Sequence, residues 1–219
     1  MKRITKLCMF LLLLTACVNN GTTNKNQKKD KNMEKLELTQ EWDKVFPESN
    51  KVNHSKVTFR NRYGITLAAD LYVPQNVNGK LPAIAVSGPF GAVKEQSSGL
   101  YAQTMAERGF LTIAFDPSYT GESGGEPRYV ASPDINTEDF SAAVDFLSTR
   151  DDVDPERIGI IGICGWGGMA INVAAMDTRI KASVASTMYD MSRVNANGYF
   201  DAMDPDARYE LRQRLNTQR

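Results

Sequence analysis

The chain has 219 residues, and its 26 lysines and arginines balance its 26 aspartates and glutamates, so the formal net charge is zero. Hydrophobic residues make up 42% of the chain, which is typical of one ordinary globular domain. It has no basic stripe, no interleaved aromatic run and no zinc-finger spacing, so the composition argues against a nucleic-acid-binding protein. One histidine and no Cys/His cluster also argue against a zinc site.

The first 17 residues are typical of an export signal rather than of a fold. A basic start precedes an apolar run, residues 7–14, that is too short to span a bilayer as a helix. The run ends in Leu14-Thr15-Ala16-Cys17, which resembles the lipobox of bacterial lipoproteins. The resemblance implies that Cys17 is lipidated and that a lipid anchor holds the protein at a membrane of the bacterial cell envelope.

Two other interpretations of this end of the chain remain open. One is a simple secretory signal that is cleaved nearby, and the other is translation from Met33, which would give a cytoplasmic protein. Residues 18–35 are polar and have almost no apolar surface to bury, so they are predicted to form a flexible tether. Residues 36–219 are then the domain.

The domain is predicted to open with an antiparallel hairpin. Lys56–Arg60 and Thr66–Val73 alternate apolar and polar residues on either side of a turn at residues 61–64. Leu81–Ser87 is a continuous apolar run, which predicts a strand buried on both faces. It leads into a glycine-containing loop, Gly88–Gly91.

Helices and strands then alternate. Ser98–Arg108 is predicted to be a helix, Phe110–Phe115 a strand, and the loop that starts at Asp116 a structural loop near the site. Thr137–Thr149 has the clearest helical periodicity, with Asn136 or Thr137 as its N-cap, and residues 154–157 are predicted to form a turn.

The central stretch runs from Arg157 to Ala170. It begins as an isoleucine-rich run, passes through Cys164 and several glycines, and continues as a helix. A sharp strand–turn–helix junction at Cys164 would lift the cysteine side chain out of the sheet. The N-terminus of the following helix would favour negative charge on its sulfur. Glycines are needed where strand and helix approach too closely for a Cβ. Cys164 would be the only thiol of the domain, so no internal disulfide explains it.

The remaining elements complete the predicted fold. Ile180–Thr187 is a sixth strand, Asn195–Met203 is loop-like, and Asp204-Pro205 is predicted to cap a polar final helix. The alternation predicts an α/β protein with a doubly wound, mostly parallel sheet. The functional edge of such a sheet lies at the carboxyl ends of its strands, where Cys164 is placed.

Residues 162–168, Gly-Ile-Cys-Gly-Trp-Gly-Gly, resemble the nucleophile elbow of α/β-hydrolases, in the branch near dienelactone hydrolases in which cysteine replaces serine. The resemblance extends from about Lys56 to about Tyr189, and it implies an α/β-hydrolase sheet that is truncated after about the sixth strand. The chain departs from the usual elbow at Trp166, where the pattern has glycine.

The resemblance implies a set of roles. Cys164 would be the nucleophile, and the backbone amides of Phe90 and Gly165 would form the oxyanion hole, since Pro89 has no N–H. The implied reaction is hydrolysis of an ester, lactone or similar acyl bond of a small molecule, with no metal or organic cofactor.

A base for this nucleophile is hard to find in the sequence. The only histidine, His54, precedes the first strand of the hairpin and is predicted to be an ordinary surface residue. Asp190, at the end of the sixth strand, is a possible acid. The chain is therefore expected to be inactive alone, and its sixth strand is expected to be an exposed edge that lowers stability and promotes association.

Two other functions remain open. One is a non-catalytic, lipid-anchored surface protein that keeps a hydrolase-like fragment. The other is a dinucleotide-binding Rossmann-type enzyme, because residues 165–170 read as G-x-G-x-x-A and Asp190 follows about 20 residues on, as a ribose-binding acid would. The sequence does not define the oligomeric state.

Overall fold

The computed structural model describes residues 35–219. The predicted signal, Cys17, Met33 and all but the last residue of the predicted tether therefore lie outside the described residues. The described part forms alternating strands and helices. In chain order these are β1 (Val52–Arg60), β2 (Thr66–Pro74), β3 (Leu81–Ser87), α1 (Ser97–Ala106), β4 (Leu111–Phe115), α2 (Pro133–Ser148), β5 (Val153–Ile163), α3 (Trp166–Met176), β6 (Ile180–Ser186), α4 (Met191–Asn197), a 3₁₀ turn (Tyr199–Asp201) and α5 (Pro205–Thr217).

The strands described form one mixed sheet in the order β1-β2-β4-β3-β5-β6. The β1–β2 hairpin is antiparallel, and β2 also pairs antiparallel with β4. The pairs β4–β3, β3–β5 and β5–β6 are all parallel. This confirms the predicted α/β class and places the carboxyl ends of β3, β4 and β5 at one edge of the sheet.

Helices cover both faces of the sheet. Helix α1 packs on one face, whereas α2 and α3 pack together on the other, which is the doubly wound arrangement. Strands β3 and β4 are buried on both sides because they lie at the centre of the sheet, as their continuous apolar runs predict. The face that α1 covers includes the buried side chains Tyr72, Ile84, Val86, Ile161 and Ile163.

Several predicted boundaries are wrong. Strand β1 begins at Val52, four residues before the predicted start, so His54 lies within the strand and not before it. Helix α2 begins four residues earlier than its apolar periodicity indicated, because Ser132 is the N-cap, accepting a hydrogen bond from the Ile135 N–H, and Pro133 follows it. The predicted turn at residues 154–157 lies inside β5, where the register with β3 shifts. Part of the predicted loop from residue 195 belongs to α4. The predicted Asp204 cap is confirmed, since its carboxylate accepts from the Ala207 N–H.

Strand β6 is an edge of the described sheet and is much more exposed than its neighbours. Val184 on this strand is 51% exposed. An apolar groove of about 530 Å³ lies beside it and includes Ile84, Ile161 and Val184 in its walls. The exposed edge was expected, whereas the association that it would promote stays a prediction. None of the helices described between residues 35 and 219 has the length and apolarity needed to cross a membrane.

Candidate active site

Cys164 lies in the turn between β5 and α3, at the carboxyl edge of the sheet. Its φ of 58° is in the left-handed region, which non-glycine residues seldom adopt. The backbone N–H of Cys164 donates to the Ser186 carbonyl at 2.8 Å, which ties the turn to the end of β6. The thiol is half-buried. The predicted strand–turn–helix junction is therefore present, with a strained residue at its tip.

Glycines allow α3 to start directly after the turn. A Cβ on Gly162 would overlap the Trp166 carbonyl oxygen and would lie 2.7 Å from the Ala170 Cβ. On the other side of the helix, a Cβ on Gly167 would lie 2.8 Å from the Met188 Cβ. Both glycines are thus required by packing within the protein.

Trp166, the departure from the usual elbow pattern, is accommodated by a second glycine-containing loop. Its side chain is 3% exposed. A Cβ on Gly88 would lie 2.5 Å from the Trp166 Cδ1, so the indole occupies the space that this glycine leaves. Trp166 also contacts the Phe90 ring, with 5.5 Å between centroids. The tryptophan therefore joins the elbow to the loop after β3.

The predicted oxyanion-hole residues are brought together by that contact. The Phe90 ring covers Gly165 so closely that a Cβ on this glycine would overlap it. Within residues 35–219, neither the Phe90 N–H nor the Gly165 N–H donates a hydrogen bond to another protein group. Both backbone N–H groups are thus left without a described acceptor, and the Gly165 N–H directly follows Cys164 in the chain.

Tyr189 is a site residue that the sequence analysis missed. Its hydroxyl lies 3.5 Å from the Cys164 Sγ, and its ring lies near that of Tyr199. The hydrogen bond with Cys164, and then that with Tyr199, raises the pKa of Tyr189 above its ordinary value. The phenol therefore stays protonated and can donate its O–H to a thiolate. Its position directly before Asp190, at the end of a strand parallel to β5, was the available signal.

Asp190, the possible acid, is the N-cap of α4. Its carboxylate accepts from the Arg193 N–H at 2.9 Å and from the Ser192 hydroxyl at 2.6 Å. These two hydrogen bonds, with that of Ser192 the larger, lower the pKa of Asp190. The side chain is exposed, and its described hydrogen bonds are made within α4. A catalytic role for Asp190 stays a prediction.

His54 is not the ordinary surface residue that the sequence analysis expected. Its Nε2 lies 2.8 Å from the Asp70 Oδ1, and its ring packs between Trp42 and Tyr72. The side chain is 16% exposed. His54 is on β1, four strand spacings of about 4.8 Å from β5, or about 19 Å across the sheet. The structure therefore does not bring the histidine to Cys164.

Sequence comparison identifies the family. Residues 63–209 match the family described as X-Pro dipeptidyl-peptidase, or S15. The chain belongs to the S15 family of α/β-hydrolases. This match covers the elbow and the loops on both sides of it. It does not test the finer resemblance to the dienelactone-hydrolase branch.

Relatives of this S15 chain include proteins with and without a named activity. It is 64% identical over 211 residues to uncharacterized protein PA2218 of Pseudomonas aeruginosa, whose crystal structure it matches with a TM-score of 0.83. It is 35% identical over 132 residues to thiohydrolase aneE of Aspergillus aculeatus. Acetyl xylan esterase 1 from Thermoanaerobacterium shares the fold, with a TM-score of 0.59 at 16% identity.

The chain spans only part of these relatives. It covers 57% of PA2218 and 41% of aneE, while these alignments cover 95% and 60% of the chain itself. The relatives therefore have a large region with no counterpart in this chain. The activity of a full-length S15 relative cannot be transferred to the chain directly.

The comparisons and the geometry do not favour the dinucleotide-binding interpretation. In that pattern the second glycine lets the backbone approach a pyrophosphate. Here the second glycine is Gly167, and the space beside it is filled by Met188 and Ala185. The glycine pattern is thus explained by packing against the end of β6. Within residues 35–219, no three His, Cys, Asp or Glu side chains are grouped to hold a metal ion.

Proposed function

We propose that the chain carries the acyl-transfer half of a hydrolase site, with Cys164 as the nucleophile. The observation that supports this most directly is a cysteine at φ 58°, at the carboxyl end of β5, followed by Gly165, whose N–H, like that of Phe90, has no described acceptor. A strained nucleophile next to unpaired backbone donors is the arrangement that acyl transfer requires. The substrate would be an ester, lactone or similar activated acyl compound.

In the proposed reaction the Cys164 thiol first loses its proton to water, and the resulting thiolate attacks the acyl carbonyl carbon. A C–S bond forms, and the carbonyl oxygen takes the negative charge and accepts hydrogen bonds from the two amides. The oxyanion then collapses, the C–O bond of the ester breaks, and the alcohol leaves with the electron pair and takes a proton from water. Before attack, the Cys164 thiol donates to the Tyr189 hydroxyl at 3.5 Å, and this hydroxyl can donate to the sulfur once the thiolate has formed. The product is a thioester on Cys164.

Turnover of that thioester needs a base to activate water, and histidine is the usual one. The only histidine of the chain is His54, which is paired with Asp70 far from the site. We therefore propose that the chain alone forms the acyl-enzyme and releases it slowly. The same lack disfavours peptide substrates, whose amine leaving group must be protonated.

The named activities of the relatives support acyl compounds in general as the substrate class, and not one type of acyl bond. The S15 description names a dipeptidyl-peptidase, while the relative aneE is named a thiohydrolase and the structural neighbour an esterase. Amides, thioesters and esters share an acyl carbonyl that a nucleophile attacks. The cysteine in place of serine, as in the dienelactone-hydrolase branch, is part of this proposal.

The test is to trap the acyl group on the full chain. The protein is treated with p-nitrophenyl acetate near neutral pH, and the modified residue is located by peptide mass mapping. We expect one acetyl group on Cys164 and none in Cys164→Ser, which keeps the side-chain shape but has no base to activate it. A Cys164 that reacts with iodoacetamide but never with the ester would contradict the proposal and favour the non-catalytic surface protein.

We also propose that lipidation at Cys17 anchors the domain to the cell envelope. The support is the sequence of the first 17 residues and the polar stretch that follows them. Incorporation of labelled fatty acid that is lost in Cys17→Ser is the expected result. Fractionation of the unlabelled protein with the cytoplasm would support translation from Met33 instead.

A further inference from the structure

The loop that carries Phe90 ends in a buried lysine. Lys94 is 1% exposed, although a lysine is seldom buried without partners. Its backbone N–H donates to one oxygen of Asp116 at 2.8 Å, and its Nζ donates to the other oxygen at 2.8 Å. The Nζ also pairs with Glu122 at 2.7 Å. One residue therefore holds one carboxylate through both its main chain and its side chain.

Asp116 is itself fixed at the end of β4. It is fully buried, and its backbone N–H donates to the Ala68 carbonyl at 3.0 Å. The same carboxylate accepts from the Glu122 N–H at 2.9 Å, and Gly121 lies so close that a Cβ there would overlap it. The carboxylate therefore cannot move without disturbing the sheet or the loop that follows β4.

Between its two ends, the loop of residues 88–94 has local bonds that restrict it. The Ala92 N–H donates to the Pro89 carbonyl at 3.2 Å, which closes a turn around Phe90. The first end is wedged beside Trp166, where Gly88 leaves room for the indole. The second end is the Lys94 contact with Asp116. Phe90 lies between these two fixed points, four residues before Lys94.

We propose that Lys94 is a positioning residue for the oxyanion hole, which it shapes by holding the Phe90 loop against Asp116. This inference rests on the proposed acyl transfer at Cys164. Lys94 does not contact the substrate in this scheme. Burial opposes the charge of Lys94, but the carboxylates of Asp116, Glu122 and Glu95 outweigh it and raise the pKa of the lysine, while burial also raises the pKa of Asp116.

Lys44 offers a matched control. Its side chain is also fully buried and pairs with two carboxylates, at 2.8 Å from Asp43 and 3.1 Å from Asp70. It has no described bond to the Phe90 loop or to Asp116. A methionine at either position removes a buried positive charge and keeps a similar length. Only the change at Lys94 also releases the loop.

The experiment compares two reactions of the same sulfur in the full chain. Acylation by p-nitrophenyl acetate passes through an oxyanion, whereas alkylation by iodoacetamide only displaces iodide and does not. Complete loss of an oxyanion-hole donor costs about 10²–10³ in rate. Lys94→Met displaces the Phe90 amide without removing it, so we expect a smaller effect: acylation of Cys164 should slow about tenfold to a hundredfold relative to alkylation. In Lys44→Met the ratio of the two rates should equal that of the wild type.

Each outcome decides the matter. Equal ratios in folded Lys94→Met and wild type would overturn the positioning role while leaving the proposed function intact. A wild type that is alkylated but not acylated would instead overturn the proposed function, and the positioning role with it. If Lys94→Met does not fold, Asp116→Asn replaces one of the two accepting oxygens while keeping the shape, and the same fall in ratio is expected.

Discussion

The two sides of the Cys164 turn, called here the β3–β4 flank and the β6 flank, differ in how deeply their polar groups are buried. On the β3–β4 flank, Lys94 and Asp116 are fully buried, and they hold the loop that presents Phe90. On the β6 flank, the strand is an exposed edge and Asp190 is an exposed helix cap. Buried ion pairs tolerate little change, whereas exposed groups contribute little to stability.

This difference corresponds to the two halves of hydrolytic chemistry. In the proposed function, the Phe90 and Gly165 amides serve formation of an acyl-enzyme. The exposed flank contributes Tyr189, and His54 lies about 19 Å away across the sheet, so within the described residues the proposal assigns no histidine to the second half of the reaction.

The largest predicted difference compares the same substitution on the two flanks. Lys94→Met leaves Asp116 buried without its cation and is expected to lower the free energy of unfolding by about 3–5 kcal/mol. Lys181→Met on β6 removes an exposed pair with Glu156, at 3.2 Å, and an exposed hydrogen bond to the Thr178 carbonyl, and it is expected to cost less than about 1 kcal/mol. Urea denaturation measures both, and similar losses would contradict the contrast between the flanks.

The next prediction compares alanine substitutions at two glycines near Cys164, one closely packed and one with open space beside it. Gly162→Ala places a methyl group against the Trp166 carbonyl and is expected to cost about 1–3 kcal/mol and to slow all reactions of Cys164. Gly168→Ala has open space around its Cβ and should stabilise α3 by about 0.5–1 kcal/mol. Thermal unfolding of the pair provides the measurement. A stable, fully reactive Gly162→Ala variant would contradict the close approach of Gly162 to the Trp166 carbonyl oxygen.

Asp190→Ala probes the exposed flank. Loss of the α4 N-cap is expected to lower the midpoint of urea denaturation slightly, because the Arg193 N–H loses its acceptor. Asp190→Asn retains a capping side chain and should recover most of that loss. If acylation of Cys164 falls far more than stability does in both variants, Asp190 has the acid role that its position in the sequence suggested.

The smallest effect concerns acid stability on the buried flank. Burial opposes ionisation of Glu122, but hydrogen bonds from Lys56 and Lys94 outweigh it and lower the pKa from an ordinary 4.5 to about 2. Because the folded pKa lies below the unfolded one, its contribution is complete above pH 4.5 and is lost as the pH falls towards 2. Glu122→Gln should flatten the fall in unfolding free energy over that interval, and an unchanged slope would contradict the assignment.

Much of the sheet could be predicted because its strands are apolar runs with clear ends. Leu81–Ser87 was predicted with the observed bounds, and the sixth strand was one residue too long. The start of α2 was missed because a cap and a proline set it, rather than the apolar periodicity that was followed. Helix α4 was missed because it is short and has no buried residue to create a pattern.

Only the residues of the site that are adjacent in sequence could be predicted. Cys164 and its glycines are adjacent in sequence, so the strand–turn–helix junction could be read directly. The partners of His54 and Lys94 lie 16 and 22 residues away, and contacts of that kind depend on hairpin register and loop packing. No residue next to Lys94 indicates that it is buried.

The most direct test is the time course of p-nitrophenolate release from p-nitrophenyl acetate with the full chain. The proposed function predicts a burst of about one equivalent per chain, followed by a rate close to that of the uncatalysed reaction, because Cys164 would be acylated and no histidine lies near it to help release the acyl group. No burst, or steady turnover without an acyl group accumulating on Cys164, would contradict the assignment of acyl capture to this site.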